Sequence, residues 1–153
     1  MNALIWTIIL SFLPISELRG GMIYAVYSGM NPYSAFFLCV IINLIAIIFA
    51  FFFLDFLHKE FMKIKIYRKV FDRYMEGIRK KAKGLEKQIG NYGFLALAIF
   101  VAVPIPGTGA WTGALIAWYL GLDRKKSILS ISLGVLGAGI IILLGILGFI
   151  RIF

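Results

Sequence analysis

LPISELRGG, Leu13–Gly21, sets a carboxylate (Glu17) and a guanidinium (Arg19) inside an otherwise apolar first third of the chain. Neither Asn2–Leu13 before it nor Met22–Leu54 after it carries a charged side chain. A charge at the centre of a bilayer costs roughly 2.5–3.5 kcal/mol on insertion scales, so such residues are rare there and usually functional. The stretch also breaks a helix. Ala3–Leu13 is apolar, but a helix of that length rises roughly 16 Å, about half of a ~30 Å hydrocarbon core. Pro14 stops it, Gly20 and Gly21 allow a tight return, and Met22–Gly29 is again too short to span. Two half-length pieces around a polar break predict a re-entrant hairpin over 3–30, tolerated at membrane depth only where protein or a wet cavity surrounds the break.

The rest of the composition agrees with a membrane setting. Of 153 residues 61% are hydrophobic and 15% charged, and the mean hydropathy is +0.95, far from an average soluble domain. No cleavable leader is expected, because the first residues lack a basic region and the apolar run ends in Pro-Ile-Ser-Glu. One cysteine, Cys39 in an apolar run, offers neither a disulfide framework nor a cysteine metal site.

Asn31-Pro32 reads as a turn, and 33–54 as a full span with Asn43 as its main polar interruption. For Asn43 an interhelical hydrogen bond competes with a ligand role. His58 marks the interface rather than a metal site. Of the 16 Lys and Arg residues of the +9 chain, all but Arg19 and Arg151 fall within 59–87 or 124–126. Flanked by membrane segments, this basic charge fits retention on the cytoplasmic face and attraction to anionic inner-leaflet lipids at 59–87, rather than nucleic acid. Phe61, Ile64, Tyr67, Phe71, Tyr74, Ile78, Leu85 and Ile89 recur near helical spacing between those cations, so 55–91 is read as a basic amphipathic interfacial linker. A solvated helical hairpin broken near Gly77 or Gly84 is the alternative.

VPIPGTGAWTG, Val103–Gly113, repeats the first break without charges. It predicts a second re-entrant hairpin over 93–122, followed by a span at 128–150 whose Ser130, Gly134 and Ala138 suit close packing. Gly21, Ala25, Tyr27, Gly29 and Asn31 match Gly113, Ala117, Tyr119, Gly121 and Asp123 at a constant offset. The expected architecture is therefore an all-α integral membrane protein. Its two inverted repeats, 1–54 and 92–153, are each a Pro/Gly-broken re-entrant hairpin plus one transmembrane helix, joined by the cytoplasmic linker. Basic charge on one face then puts both termini outside a multi-pass plasma-membrane protein. Two full spans enclose little, which suggests a homodimer or other homo-oligomer.

LPISELRGG and YGFLALAIFVAVPIPGTGAWTGALIA resemble the small multidrug export protein family over nearly the whole chain. More distantly, Pro14-x-x-Glu17 and the order Tyr92-Gly93…Pro104…Gly107 look like the DedA/VTT superfamily of membrane proteins. That likeness implies paired re-entrant hairpins in inverted repeat. Such proteins carry an Arg after the second hairpin's Pro, where this chain has Gly107, Thr108 and Gly109. The first likeness implies export of small molecules.

The chemistry offered by the breaks is limited to a few groups. Glu17 is a carboxylate able to change charge, the minimum for proton coupling. Arg19 could hold a phosphate or carboxylate. The backbone N–H groups of half-helix N-termini, bared by Gly107 and Gly109, add anion affinity. Trp111 could shield an apolar portion. Pro14, Gly20, Gly21, Pro104, Pro106, Thr108, Thr112 and Asn43 complete the candidate site. The resulting expectation is a transporter or flippase for an amphipathic anion such as a polyprenyl phosphate, with small-molecule export as one alternative. A second is a scaffold in which Glu17 and Arg19 pair with each other. An enzyme is not expected, since one His, one Cys and no acid cluster supply no nucleophile–base pair. No cofactor or metal is implied.

Overall fold

Charge-free apolar runs bounded by Pro and Gly leave helices as the only way to satisfy the backbone in lipid. The computed structural model describes residues 2–92, 94–105 and 107–152, with the side chains of 59, 84–92 and 152 left aside. The described residues form eight α-helices and no strand. They are α1 (Ala3–Phe12), α2 (Glu17–Tyr27), α3 (Pro32–Phe52), α4 (His58–Phe61), α5 (Lys65–Tyr92), α6 (Leu95–Ala102), α7 (Ala110–Tyr119) and α8 (Arg124–Ile152). Two stretches, Pro32–Leu57 and Arg124–Arg151, are long and apolar enough to cross a membrane. The first exceeds the expected span because α3 runs on through a π-helical turn, Phe53–Leu57, which periodicity does not reveal.

The long helices α3 and α8 are antiparallel. Arg124 at the start of α8 pairs with Asp55 beyond the end of α3, while Gly139 lets α8 approach Phe36 and Val40 near the start of α3. Helices α1 and α2 pack on each other and on α3, and α6 and α7 pack on each other and on α8. Each long helix also takes the second arm of the other pair, α7 on α3 and α2 on α8. The small residues of α8 serve these contacts: a Cβ at Gly134 would strike the Ala98 carbonyl and Val101 of α6.

The spaced matches between the halves are structural as well. Helix α2 ends with Met30 N–H on Ala25 O and Gly29 N–H on Val26 O, and α7 ends with Leu122 N–H on Ala117 O and Gly121 N–H on Trp118 O. Both caps need a left-handed residue, supplied by Gly29 (φ +88°) and Gly121 (φ +63°). Asn31 and Asp123 then cap the next helices, accepting from Tyr33 N–H and Lys126 N–H.

Helix α5 is one unbroken helix despite Gly77 and Gly84, rather than a broken hairpin, and one of its faces packs on the rest of the protein. Met75, Ile78 and Ala82 are buried with Ala96, Leu115 and Ile116 of α6 and α7, while cations occupy its other faces. Phe61, placed on that amphipathic face by spacing, belongs to the separate short helix α4.

Candidate functional site at the junction of two helix breaks

The two breaks meet. Proline 14 has no N–H to continue α1, so the chain leaves the helix at Leu13, and the Ser16 hydroxyl donates to Leu10 O to close the turn. Glu17 opens α2 at φ +50°, a left-handed conformation that costs a non-glycine residue roughly 1–2 kcal/mol. That turn aims the carboxylate away from its own hairpin. Glu17 is 6% exposed, and its Oε1 accepts the Trp111 N–H at 3.2 Å. It therefore caps the N-terminus of α7, where the helix dipole favours negative charge. Gly109 makes the approach possible, since a Cβ there would fall on the Glu17 carboxylate.

Arg19 serves the other orphaned end. Its guanidinium donates to Ile105 O, to Val103 O at 3.2 Å and to Thr108 Oγ1 at 2.9 Å. Val103 caps the C-terminus of α6, so the cation meets the carbonyl end of that helix, as the dipole prefers. The Thr108 hydroxyl lies 2.7 Å from both Val103 O and Ile105 O and donates its single hydrogen within that pair. Glu17 and Arg19 make no ion pair with each other; two positions apart on a helix they point in different directions. The alternative in which the two pair with each other is not the arrangement found: each charge is matched to backbone of the opposite break.

The second break answers with Trp111, whose Nε1–H donates to Phe12 O, the end of α1, at 2.8 Å. Asn43, 1% exposed, stands beside the junction and donates to Ser11 O at 3.0 Å and Cys39 O at 2.9 Å. The bond to Ser11 O is interhelical, from α3 to α1, and the one to Cys39 O lies within α3. Glu17, Arg19, Asn43 and Gly109 border one void of about 10 Å³, no more than about one water.

The remaining candidates divide. Gly20 and Gly21 face Ser16 and Ser11, so their bareness lets α1 and α2 close on each other rather than exposing backbone to a ligand. Gly107, at φ +79°, presents its carbonyl to Lys81 Nζ of α5 at 2.5 Å. Thr112 is buried in α7, and Pro14 and Pro104 are exposed beside the tips. Pro106 and Gly93 lie outside the described residues.

Sequence reasoning missed a separate wall of aromatic side chains. Tyr67, Phe71 and Tyr74 of α5 stand with Phe53 and Trp111 around a cavity of about 400 Å³ below the first tip. Their spacing of four and three was visible, but it was read as an interfacial face. His58 stiffens this wall: its Nδ1 lies 3.1 Å from the Tyr67 hydroxyl and its ring 4.2 Å from that of Phe71. Burial holds its pKa below the usual imidazole value, with Asp72 opposing.

Two long apolar helices with two pairs of half-length helices buried against them define a helical membrane protein. The chain matches the model of the family described as "Putative small multi-drug export protein" over residues 17–141. It belongs to that family. No curated protein and no solved structure matches it.

Proposed function

We propose that the protein exports small lipophilic molecules, and that the junction of its two breaks is a proton-responsive gate. The observation that carries this is the capping of α7 by Glu17 across the junction. As a carboxylate, Glu17 holds the α7 N-terminus by charge and hydrogen bond; once protonated, it loses its attraction to that dipole and the two tips can part. The hairpins α1–α2 and α6–α7 enter the membrane as inverted repeats from opposite faces. The matched caps after α2 and α7, and the exchange of second arms between α3 and α8, support this arrangement. The basic charge of α5 supports a cytoplasmic position for that side. Gly145 and Gly148 of α8, with open space before them, offer a face to a second copy.

The family description favours a small-molecule cargo over an anionic lipid, and so does the geometry. A lipid phosphate would need the α7 N-terminus and the Arg19 guanidinium free. Glu17 fills the first, and the carbonyls of 103–105 engage the second.

The test is movement of ethidium in proteoliposomes under an imposed pH gradient. Gradient-dependent movement in the wild type, abolished in Glu17→Gln, is expected. No movement with folded wild type overturns the exporter reading, and unaltered movement in Glu17→Gln removes the gate. Translocation of a polyprenyl phosphate in the same vesicles would restore the anionic-lipid reading.

A further inference from the structure

The cavity beside the junction shares one wall residue, Trp111, with the capping contact of Glu17. Pro14 and Ile15 of the first tip form one edge, the π-turn residues Phe53 and Leu54 a second, and α5 a third. Its volume of about 400 Å³ falls in the range of pockets that hold one drug-sized molecule. Five of its nine lining residues are aromatic, and none is charged. The rings are fixed rather than loose. Trp111 is held at Nε1 by Phe12 O and packs edge-on against Phe12; Tyr67 is stacked on Phe71 at 5.7 Å and faces His58 through its hydroxyl. Flat rings held in place present π-faces and edges to a flat ligand. An aliphatic chain gains only dispersion from such walls, and an anion would have to desolvate with no partner among the lining side chains.

We infer that this cavity binds a planar aromatic molecule bearing no negative charge, and that Trp111 links its occupancy to the state of the gate. The indole of Trp111 lines the cavity, while its backbone N–H is the donor to Glu17. A ligand that displaces the indole shifts the same residue on which the carboxylate rests. The assignment of such a ligand as transported cargo rests on the exporter reading above; its binding does not.

The experiment is fluorescence binding to the purified full chain in nanodiscs, in a Trp6→Phe/Trp118→Phe background that leaves Trp111 as the only indole. The probes are N-phenyl-1-naphthylamine, which is neutral, and 8-anilinonaphthalene-1-sulfonate, the same ring system with a sulfonate. Saturable quenching of Trp111 by the neutral probe is expected, with the sulfonate at least tenfold weaker. Tyr74→Ala, at a half-exposed position on α5, should weaken the neutral probe at least fivefold. Glu17→Gln should change its affinity at least threefold, as coupling between two sites requires. Neutral-probe binding that ignores both Tyr74→Ala and Phe71→Ala overturns the site, and equal affinity for the sulfonate overturns the ligand class. Competition by dodecanol as strong as by unlabelled aromatic would make it an acyl-chain groove, overturning the same claim. An unchanged affinity in Glu17→Gln removes the link through Trp111. Quenching without ethidium transport would leave the site and sink the exporter; transport without quenching would do the reverse.

Discussion

The two breaks solve the same problem with opposite means. Leu13–Ser16 is short, and the residues beside it carry Glu17 and Arg19; Val103–Gly109 is longer and has no charged side chain. The first therefore contributes side chains, and the second contributes bare backbone. A helix that stops inside a packed helical protein leaves N–H and C=O groups without intrahelical partners. Here the carboxylate goes to the N–H end of α7 and the guanidinium to the C=O end of α6. Neither half of this protein is complete: the second break draws its charged partners from the first, beside the bonds that its own Thr108 and Lys81 of α5 supply.

The sharpest way to break that pairing is steric. Gly109→Ala places a methyl group where the Glu17 carboxylate sits, and overpacking of this kind costs about 3 kcal/mol at its upper range. Denaturation in mixed micelles should show that loss, and adding Glu17→Ala should recover part of it, because residues in contact are not additive. Gly21→Ala is the control within one hairpin. It collides with Ser11, so Glu17→Ala should leave its cost unchanged. Equal rescue of both variants would mean that the junction is not where the halves interlock.

Arg19→Ala comes next. It strips hydrogen bonds from Val103 O, Ile105 O and Thr108 together, and a hydrogen bond to a charged group contributes about 1.5–3 kcal/mol. Arg19→Lys should recover less than half of the loss, since an ammonium lacks the planar fork that reaches several acceptors in fixed directions. Full recovery in Arg19→Lys, read by the same denaturation, would reduce the residue to a point charge.

Much of this asymmetry was legible. Pro14, Pro104 and the half-length apolar runs mark the two breaks, whereas Gly20 and Gly21, expected at the return, lie inside α2; the matched residues turn out to fall at the common caps of Gly29 and Gly121. What could not be read was direction. Glu17 and Arg19 are two residues apart, so proximity along the chain suggested a pair, whereas helix geometry turns them apart and the fold brings each to the far break. Sequence alone leaves Arg19 a free cation for a ligand, because the carbonyls it binds lie 84 and 86 residues away. The aromatic wall escaped for a similar reason. Tyr67, Phe71 and Tyr74 have the spacing of a lipid-facing stripe, and only the bend of the chain after the π-turn folds them over Trp111.

Trp111→Phe tests the smaller debt in the other direction. The indole N–H to Phe12 O is the bond that the second break returns to the first, and Phe keeps an aromatic ring, though a smaller one, while deleting the donor. A loss of about 1 kcal/mol is expected, the net value of one such hydrogen bond. A loss no larger than that of an exposed control such as Tyr27→Phe would mean that the first break does not depend on the second.

The smallest effect belongs to the strap that only the second break has. Lys81 of α5 reaches Gly107 O, and no comparable linker residue touches Leu13–Ser16 among the described hydrogen bonds. The ammonium is exposed, so water replaces the carbonyl readily and Lys81→Ala should cost less than about 0.5 kcal/mol. Its consequence lies in motion rather than stability. Gly107 sits at a left-handed φ of +79°, at the tip of the break that Glu17 and Arg19 hold. Releasing its carbonyl frees the tip from α5 while leaving both charged contacts intact. Hydrogen exchange of Thr108 and Gly109 should therefore quicken in Lys81→Ala, with exchange at Ser16 and Glu17 unchanged. Equal quickening at both breaks would make them one rigid unit and erase the contrast between them.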